Sequence, residues 1–156
     1  MDSTLNVLFV CLGNICRSPL AEGVFRHRVQ RAGLEDRFHV DSCGTSAYHV
    51  GEPPDPGSVS VAGVHGIDLS AQRSRQLRPD DLRTFHYVVC MDASNVRNTR
   101  RVGDGPIRML REWDPEGPGG VPDPWGGGLG GFERVFAIVD RSCAALLDDI
   151  RAQHGV

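Results

Sequence analysis

The chain has 156 residues, 40% of them apolar and 24% charged, with a formal net charge of −3. That length and balance suit one domain spanning residues 1–156 around one core; they give no sign of a membrane span, a disordered tail or a basic nucleic-acid-binding face. All 17 basic residues are arginine, which a GC-rich genome explains as well as function does, and which excludes a lysine Schiff base or a lysine-dependent nucleotide loop.

The opening MDSTLNVLFVCLG has an apolar run with no positive region ahead of it, so it lacks the form of a secretory signal. Leu5 to Val10 is almost continuously apolar and β-prone, as expected of a strand covered on both faces of a parallel sheet. Ser18-Pro19 then reads as a helix start, with serine as cap and proline in the first turn. Leu20, Ala21, Val24, Phe25 and Val29 follow at helical spacing, and Gly33 marks the end.

Phe38 to Ser42 reads as a second strand, residues 44–57 as a loop, and 58–66 as a modest helix stopped near Gly66. A short helix is expected from Pro79 to Leu82 and a buried strand from His86 to Met91. Asp92 to Arg101 is a polar helix capped by Asp92 or Ser94, and Pro106 to Leu110 a weaker strand. Residues 113–131 are rich in glycine and proline. A long loop inside a compact domain is more often functional than idle, so it is expected to serve the active site. Beyond it, Phe132, Val135, Phe136, Val139, Cys143, Leu146, Leu147 and Ile150 share one face of a last helix. Strands alternating with helices predict a three-layer α/β/α domain with a central four-stranded parallel sheet and ligands at the carboxyl ends of its strands.

Five cysteines is an odd number, and Cys11, Cys90 and Cys143 lie in or beside apolar segments. This argues against a disulfide framework and for a reducing, cytoplasmic setting. The stretch VCLGNICRSPLAEG concentrates the chemistry. A turn feeding a helix points several N–H groups inward, and the helix dipole adds to their field. Gly13 and Asn14 suit the left-handed angles of such an anion nest. Arg17 adds a planar fork for two oxygens of a tetrahedral anion.

A cysteine facing that field is favoured as thiolate, and the Ser18 hydroxyl is placed to hydrogen-bond it. A lone cysteine at a strand end is usually a packed core residue; cysteine, five residues, then Arg-Ser between strand and helix reverses that reading. Cys11 and Cys16 as zinc ligands would need a second Cys/His pair at ligand spacing, which the sequence does not offer. Phosphoryl transfer to sulfur also needs a proton donor for the leaving oxygen, and Asp123, held between Pro122 and Pro124 in the long loop, is the candidate.

The run Val10 to Pro19, with Asp123-Pro124, resembles the low-molecular-weight protein tyrosine phosphatases. Asp41-Ser42, Gly44-Thr45, Val50-Gly51, Asp55-Pro56, Met91-Asp92, Asn95 and Phe132-Glu133 match in order over nearly the whole chain. The resemblance implies catalysis without metal or organic cofactor. Cys11 is then the nucleophile, Arg17 binds the phosphoryl oxygens, and Asp123 is the general acid and base. Leu12, Gly13, Asn14, Ile15, Cys16 and Ser18 build the phosphate site, Tyr48 and Trp125 wall the cleft, and Ser42 and Gln72 support the loop.

Cys16 resembles the family's redox partner, which traps oxidised Cys11 as a disulfide. The implied partners are tyrosine-phosphorylated proteins, a bacterial tyrosine kinase among them, met by a monomer. The chain departs from the family pattern at Trp125 and Gly126, where two aromatics, commonly tyrosines, follow Asp-Pro. It departs again at Gln72, near which a histidine often steadies Asn14, and at Gly57, which replaces an arginine.

Three other functions share features with this sequence. A thiol-dependent arsenate reductase shares the loop but needs two further relay cysteines, and none follows Cys90 within 50 residues. A protein arginine phosphatase tends to carry threonine where Ile15 stands. A catalytically dead phosphotyrosine reader would be expected to lose the nucleophile or the acid.

Overall fold

In the computed structural model, residues 4–124 and 128–156 are described. The first strand, β1 (Leu5–Cys11), leads through a tight loop into α1 (Arg17–Arg31). Then come β2 (Phe38–Gly44), α2 (Pro56–Val64), α3 (Asp81–Thr84), β3 (Tyr87–Cys90), α4 (Ala93–Val102), β4 (Ile107–Met109) and α5 (Gly128–His154). All strands run parallel in the order β2-β1-β3-β4.

Strand β1 shows why its sequence is apolar without alternation. Leu5, Val7, Phe9 and Cys11 point into a core shared with α1, α2 and α5, while Leu8 and Val10 point into a second core with Cys43, Leu82, Val88 and Cys90. Successive side chains leave opposite faces of a strand, so a strand between two helical layers is apolar on both faces; Asn6, near its start, is the exception and donates its amide to Thr84 O. The three-layer sandwich follows.

The boundaries differ from expectation where a side chain has a different partner. Helix α1 begins at Arg17, and Cys16 occupies the N-cap position with no side-chain cap bond. Ser18 is therefore not the cap; its hydroxyl turns to Cys11 instead. Asp55 caps α2 by accepting the Gly57 N–H, with Pro56 in the first turn, so that helix starts two residues earlier than its apolar pattern indicates. Asp92 caps α4 in a reciprocal box with Asn95. Helix α5 starts at Gly128 rather than Phe132. Gly33 follows the C-cap of α1 at φ 71°, a left-handed position that favours glycine.

Chain order places β2 on one side of β1 and β3 on the other, so β1 and β3 diverge at a topological switch point. Crevices open at the carboxyl ends of such strands. Cys11 ends β1 and Asp92 lies two residues beyond β3.

Candidate active site

The loop from Cys11 to Arg17 is shaped by what its carbonyls are tied to. Cys11 O accepts from the Thr45 N–H at 2.9 Å, Leu12 O from the Ser46 N–H at 2.9 Å and Ile15 O from the Asp55 N–H at 2.8 Å. Hydroxyls serve two more, Ser74 Oγ donating to Gly13 O and Ser58 Oγ to Cys16 O, each at 3.0 Å. A trans peptide sets its N–H opposite its C=O. Tying five carbonyls outward therefore turns the following amides toward the middle of the loop, which makes an anion nest at the head of α1.

One left-handed residue closes the turn. It is Asn14, at φ 57°, the single non-glycine residue with positive φ among the described residues. Gly13 is not left-handed; it is small for another reason, since a Cβ there would lie 2.9 Å from the His49 ring. The Asn14 N–H donates to Cys11 Sγ at 3.2 Å, and Ser18 Oγ lies 2.9 Å from the same sulfur. The Asn14 side-chain amide donates to Ser18 Oγ and Ser42 Oγ, at 2.8 and 3.0 Å. Ser42 in turn donates to Glu22 Oε1 at 2.6 Å.

Glu22 is buried in α1, and burial raises its pKa above the usual carboxylate range, partly offset by the Ser42 hydroxyl and Arg26. Sequence reasoning missed Glu22, which looks like an ordinary helical glutamate until β2 is laid beside α1. Gln72 does not join this network as expected. Its Nε2 donates to Pro19 O at 3.0 Å, on the first turn of α1.

Arg17 is 6% exposed, and its Nη1 donates to Asp92 Oδ2 at 2.7 Å and to Val121 O at 2.9 Å. The carboxylate beyond β3 and the loop carrying Asp123 thus aim the guanidinium together. Burial works against the Asp92 charge, but Arg17 and the amides of the α4 cap outweigh it and hold the carboxyl below its usual range. The topology rule could have identified Asp92, a carboxylate at the carboxyl end of the strand adjoining β1. The Val121 N–H donates to Met91 O at 2.7 Å and pins the loop to the sheet.

A cleft of about 320 Å³ opens over the loop, lined by Cys11, Leu12, Gly13, Ile15, Cys16 and Arg17 on its floor and by Ser46, Tyr48, His49 and Asp123 on its walls. Tyr48 is 90% exposed, a ring left standing at the mouth. Asn14, Ser18 and Ser42 are buried behind the loop and support it from below. Trp125 and Gly126 lie outside the described residues. The space beside Gly57, where an arginine was expected by resemblance, is taken by the Phe132 ring, 2.3 Å from where a Cβ would sit.

Cys16 shares the cleft but differs in state from a nucleophile. Burial, with Asp55, Cys11 and Asp123 adding to it, pushes its pKa up to about 12. All five cysteines are unbridged, and among the described residues no group of histidine, cysteine and carboxylate side chains is placed to hold a metal ion. The chemistry available is that of a sulfur nucleophile, an aimed arginine and a carboxyl on the opposite wall.

Sequence and structure comparisons converge on one family. The family profile described as low molecular weight phosphotyrosine protein phosphatase matches residues 6–155. A low molecular weight phosphotyrosine protein phosphatase of Sus scrofa is 42% identical over 154 residues, covering 95% of this chain and 97% of its own. A low molecular weight protein-tyrosine-phosphatase of Streptomyces coelicolor is 41% identical over 158 residues, covering 96% of each. The crystal structure of YfkJ from Bacillus subtilis superposes with a TM-score of 0.92 at 35% identity, covering 98% of each chain. A profile match over nearly the whole length, with the phosphate nest and its cysteine in place, means that this chain belongs to the low molecular weight phosphotyrosine protein phosphatases.

Proposed function

We propose that Cys11, Arg17 and Asp123 carry the hydrolysis of phosphotyrosine in this chain, which acts as one phosphatase domain over residues 1–156. The observation that supports this most is the double hydrogen bond to one sulfur: the Asn14 N–H and the Ser18 hydroxyl both converge on Cys11 Sγ. Two hydrogen-bonding groups converging on one sulfur hold it at the centre of the nest, placed to attack phosphorus and later to leave.

In the first step Cys11 Sγ attacks phosphorus as the bond to the aryl oxygen breaks. Asp123 gives its proton to the departing phenolate. Arg17 and the inward amides hold the three equatorial oxygens as charge redistributes. In the second step Asp123, now a carboxylate, takes a proton from the attacking water. The sulfur–phosphorus bond breaks, and the thiolate leaves into its two hydrogen bonds.

Leu12, Gly13, Asn14, Ile15, Cys16 and Ser18 form the phosphate site, with Tyr48 and Trp125 as walls and Ser42 as support. Gln72 is best assigned to the first turn of α1 rather than to Asn14. Ile15 puts an apolar side chain in the cleft, which favours a flat aryl ester over the guanidinium of a phosphoarginine. Cys16 shares the cleft with Cys11 and is the partner that would trap oxidised Cys11. The reading extends to a monomer in a reducing cytoplasm, acting on tyrosine-phosphorylated proteins such as a bacterial tyrosine kinase. No helix among the described residues is long and apolar enough to cross a membrane.

The test is hydrolysis of p-nitrophenyl phosphate against pH, with reductant and no metal, for wild type, Cys11→Ser and Asp123→Ala, together with phosphotyrosine and phosphoarginine peptides. Cys11→Ser should abolish turnover, and Asp123→Ala should lower it by ~10²-fold or more. An inactive wild type, or a preference for phosphoarginine, would overturn the assignment.

A further inference from the structure

The carboxamide of Asn14 is held at both ends, and only one end belongs to the catalytic loop's own neighbours. Its Nδ2 donates to Ser18 and Ser42, as described. Its Oδ1 accepts the backbone N–H of Arg75 at 3.1 Å. Residues 74–77 run alongside the end of β2: Gly44 N donates to Arg75 O at 2.8 Å and Leu77 N to Gly44 O at 2.7 Å. In the same stretch Ser74 Oγ holds Gly13 O.

That short strip has no sheet to fix it beyond this edge, but it is anchored through the Arg75 side chain. Arg75 Nε donates to Asp41 Oδ2 at 3.0 Å, and its two terminal nitrogens donate to the two oxygens of Asp81, at 2.9 and 3.2 Å. The Asp81 side chain is 4% exposed and also accepts the Arg78 N–H. Asp41 Oδ1 accepts the Ser42 N–H. One guanidinium thus ties the residue that holds Oδ1 to the neighbour of the residue that holds Nδ2.

We propose that the Asp41–Arg75–Asp81 ion-pair cluster is a positioning device for Cys11, fixing which end of the Asn14 carboxamide is oxygen and thereby the direction of the Ser18 hydroxyl. With Nδ2 toward Ser18, the serine oxygen accepts, and its own proton goes to the sulfur at 2.9 Å in preference to Cys43 O, which lies farther at 3.4 Å. A carboxamide turned over would present oxygen to Ser18, draw that proton to itself and leave the thiolate one donor short. The same turn would leave the Arg75 N–H facing an NH₂ group, so the placement of Arg75 decides the orientation. The inference rests on Cys11 as the reactive sulfur.

The test reads the sulfur directly. Wild type, Arg75→Gln, Arg75→Lys and Asp81→Asn are alkylated with iodoacetamide across pH, with and without inorganic phosphate, and Cys11 is followed by mass spectrometry. Asp114→Asn, in a separate buried ion-pair cluster with Arg111 and Arg141, is the control for loss of stability alone. The charged or titratable groups near Cys11, namely Arg17, Cys16, Cys43, His49, Cys90, Asp92 and Asp123, with Glu22 reaching it through Ser42, are the same in every variant.

Arg75→Gln and Asp81→Asn should move the alkylation profile to higher pH, with alkylation roughly threefold slower or more near pH 6, and should weaken protection by phosphate. Arg75→Lys, able to meet one carboxylate but not both, should fall between. Asp114→Asn should lower Tm and leave the profile in place. Profiles for Arg75→Gln and Asp81→Asn that superpose on wild type would reduce the cluster to a structural tie, and Asp81→Asn alone decides if Arg75→Gln does not fold. A Cys11 that fails to alkylate in wild type would instead overturn the nucleophile assignment, so the two failures are distinguishable.

Discussion

Gly44 ends β2 in register with Cys11, and the phosphate loop lies against its bare Cα. A Cβ built there would stand 2.7 Å from Leu12 O, 3.0 Å from Gly13 C and 3.1 Å from Asn14 N, all backbone atoms that no rotamer change can move aside. Ordinary contact begins at 3.4 Å, so Gly44→Ala obliges the loop to retreat by about 0.7 Å, and a displacement near 1 Å costs about 10²-fold in rate. We expect kcat/KM for p-nitrophenyl phosphate to fall by roughly 10- to 100-fold. Overpacking should cost about 1–3 kcal/mol in stability, a Tm loss of roughly 3–10 °C at this chain length. Gly63→Ala in α2 is the comparison, because nothing lies within 4 Å of its Cβ, and it should gain about 0.5 kcal/mol without touching activity. Steady-state kinetics and thermal denaturation on both variants decide. A Gly44→Ala enzyme within about twofold of wild-type kcat/KM would refute the claim that the bare Cα sets the loop's position.

Asp92→Asn keeps a good helix cap for α4 but removes the countercharge that aims the buried Arg17; kcat should drop roughly tenfold and Tm should fall as Arg17 loses that partner, as steady-state kinetics and calorimetry will show. At pH 7, iodoacetamide should label Cys11 and spare Cys16 and Cys90, whose pKa values are pushed up to about 12, chiefly by burial. It should also spare Cys43 and Cys143, which burial raises further; peptide mapping reads this, and phosphate should protect the one labelled site. Asp114, with hydrogen bonds from Arg141 and Arg111 outweighing its burial, has its carboxyl lowered to about 2. Its stabilisation is therefore complete above the unfolded carboxylate's range near ~4 and lost as pH falls toward about 2. Asp114→Asn should cost about 3 kcal/mol at neutral pH, and thermal melts should show the gap from wild type closing as the pH drops below about 4.

The sequence by itself determined the architecture and pointed to the candidate reacting atoms. An apolar run at Leu5–Val10, broken only by Asn6, is stable between two apolar layers, and a thiol and a guanidinium with five residues between them, in a turn with Asn and Gly, suit an anion at their centre. Both signals are local, so a single stretch of chain carries them. Apart from Ser42, which resemblance supplied, the supporting residues were not legible, because each is defined by a neighbour distant in sequence. Glu22 matters through Ser42 on β2, Asp92 through Arg17 on α1, Gly44 through the loop backbone, and Arg75 through Asn14. Ser18 and Gln72 show the converse. Ser18 reads both as a helix cap and as a partner of Cys11, and the structure keeps only the second role; Gln72 stands beside Asn14 by resemblance, yet its amide reaches Pro19. A hydroxyl or an amide takes the nearest partner with an unmet donor or acceptor, and which partner is nearest is decided only when the parallel sheet brings β1, β2 and β3 side by side.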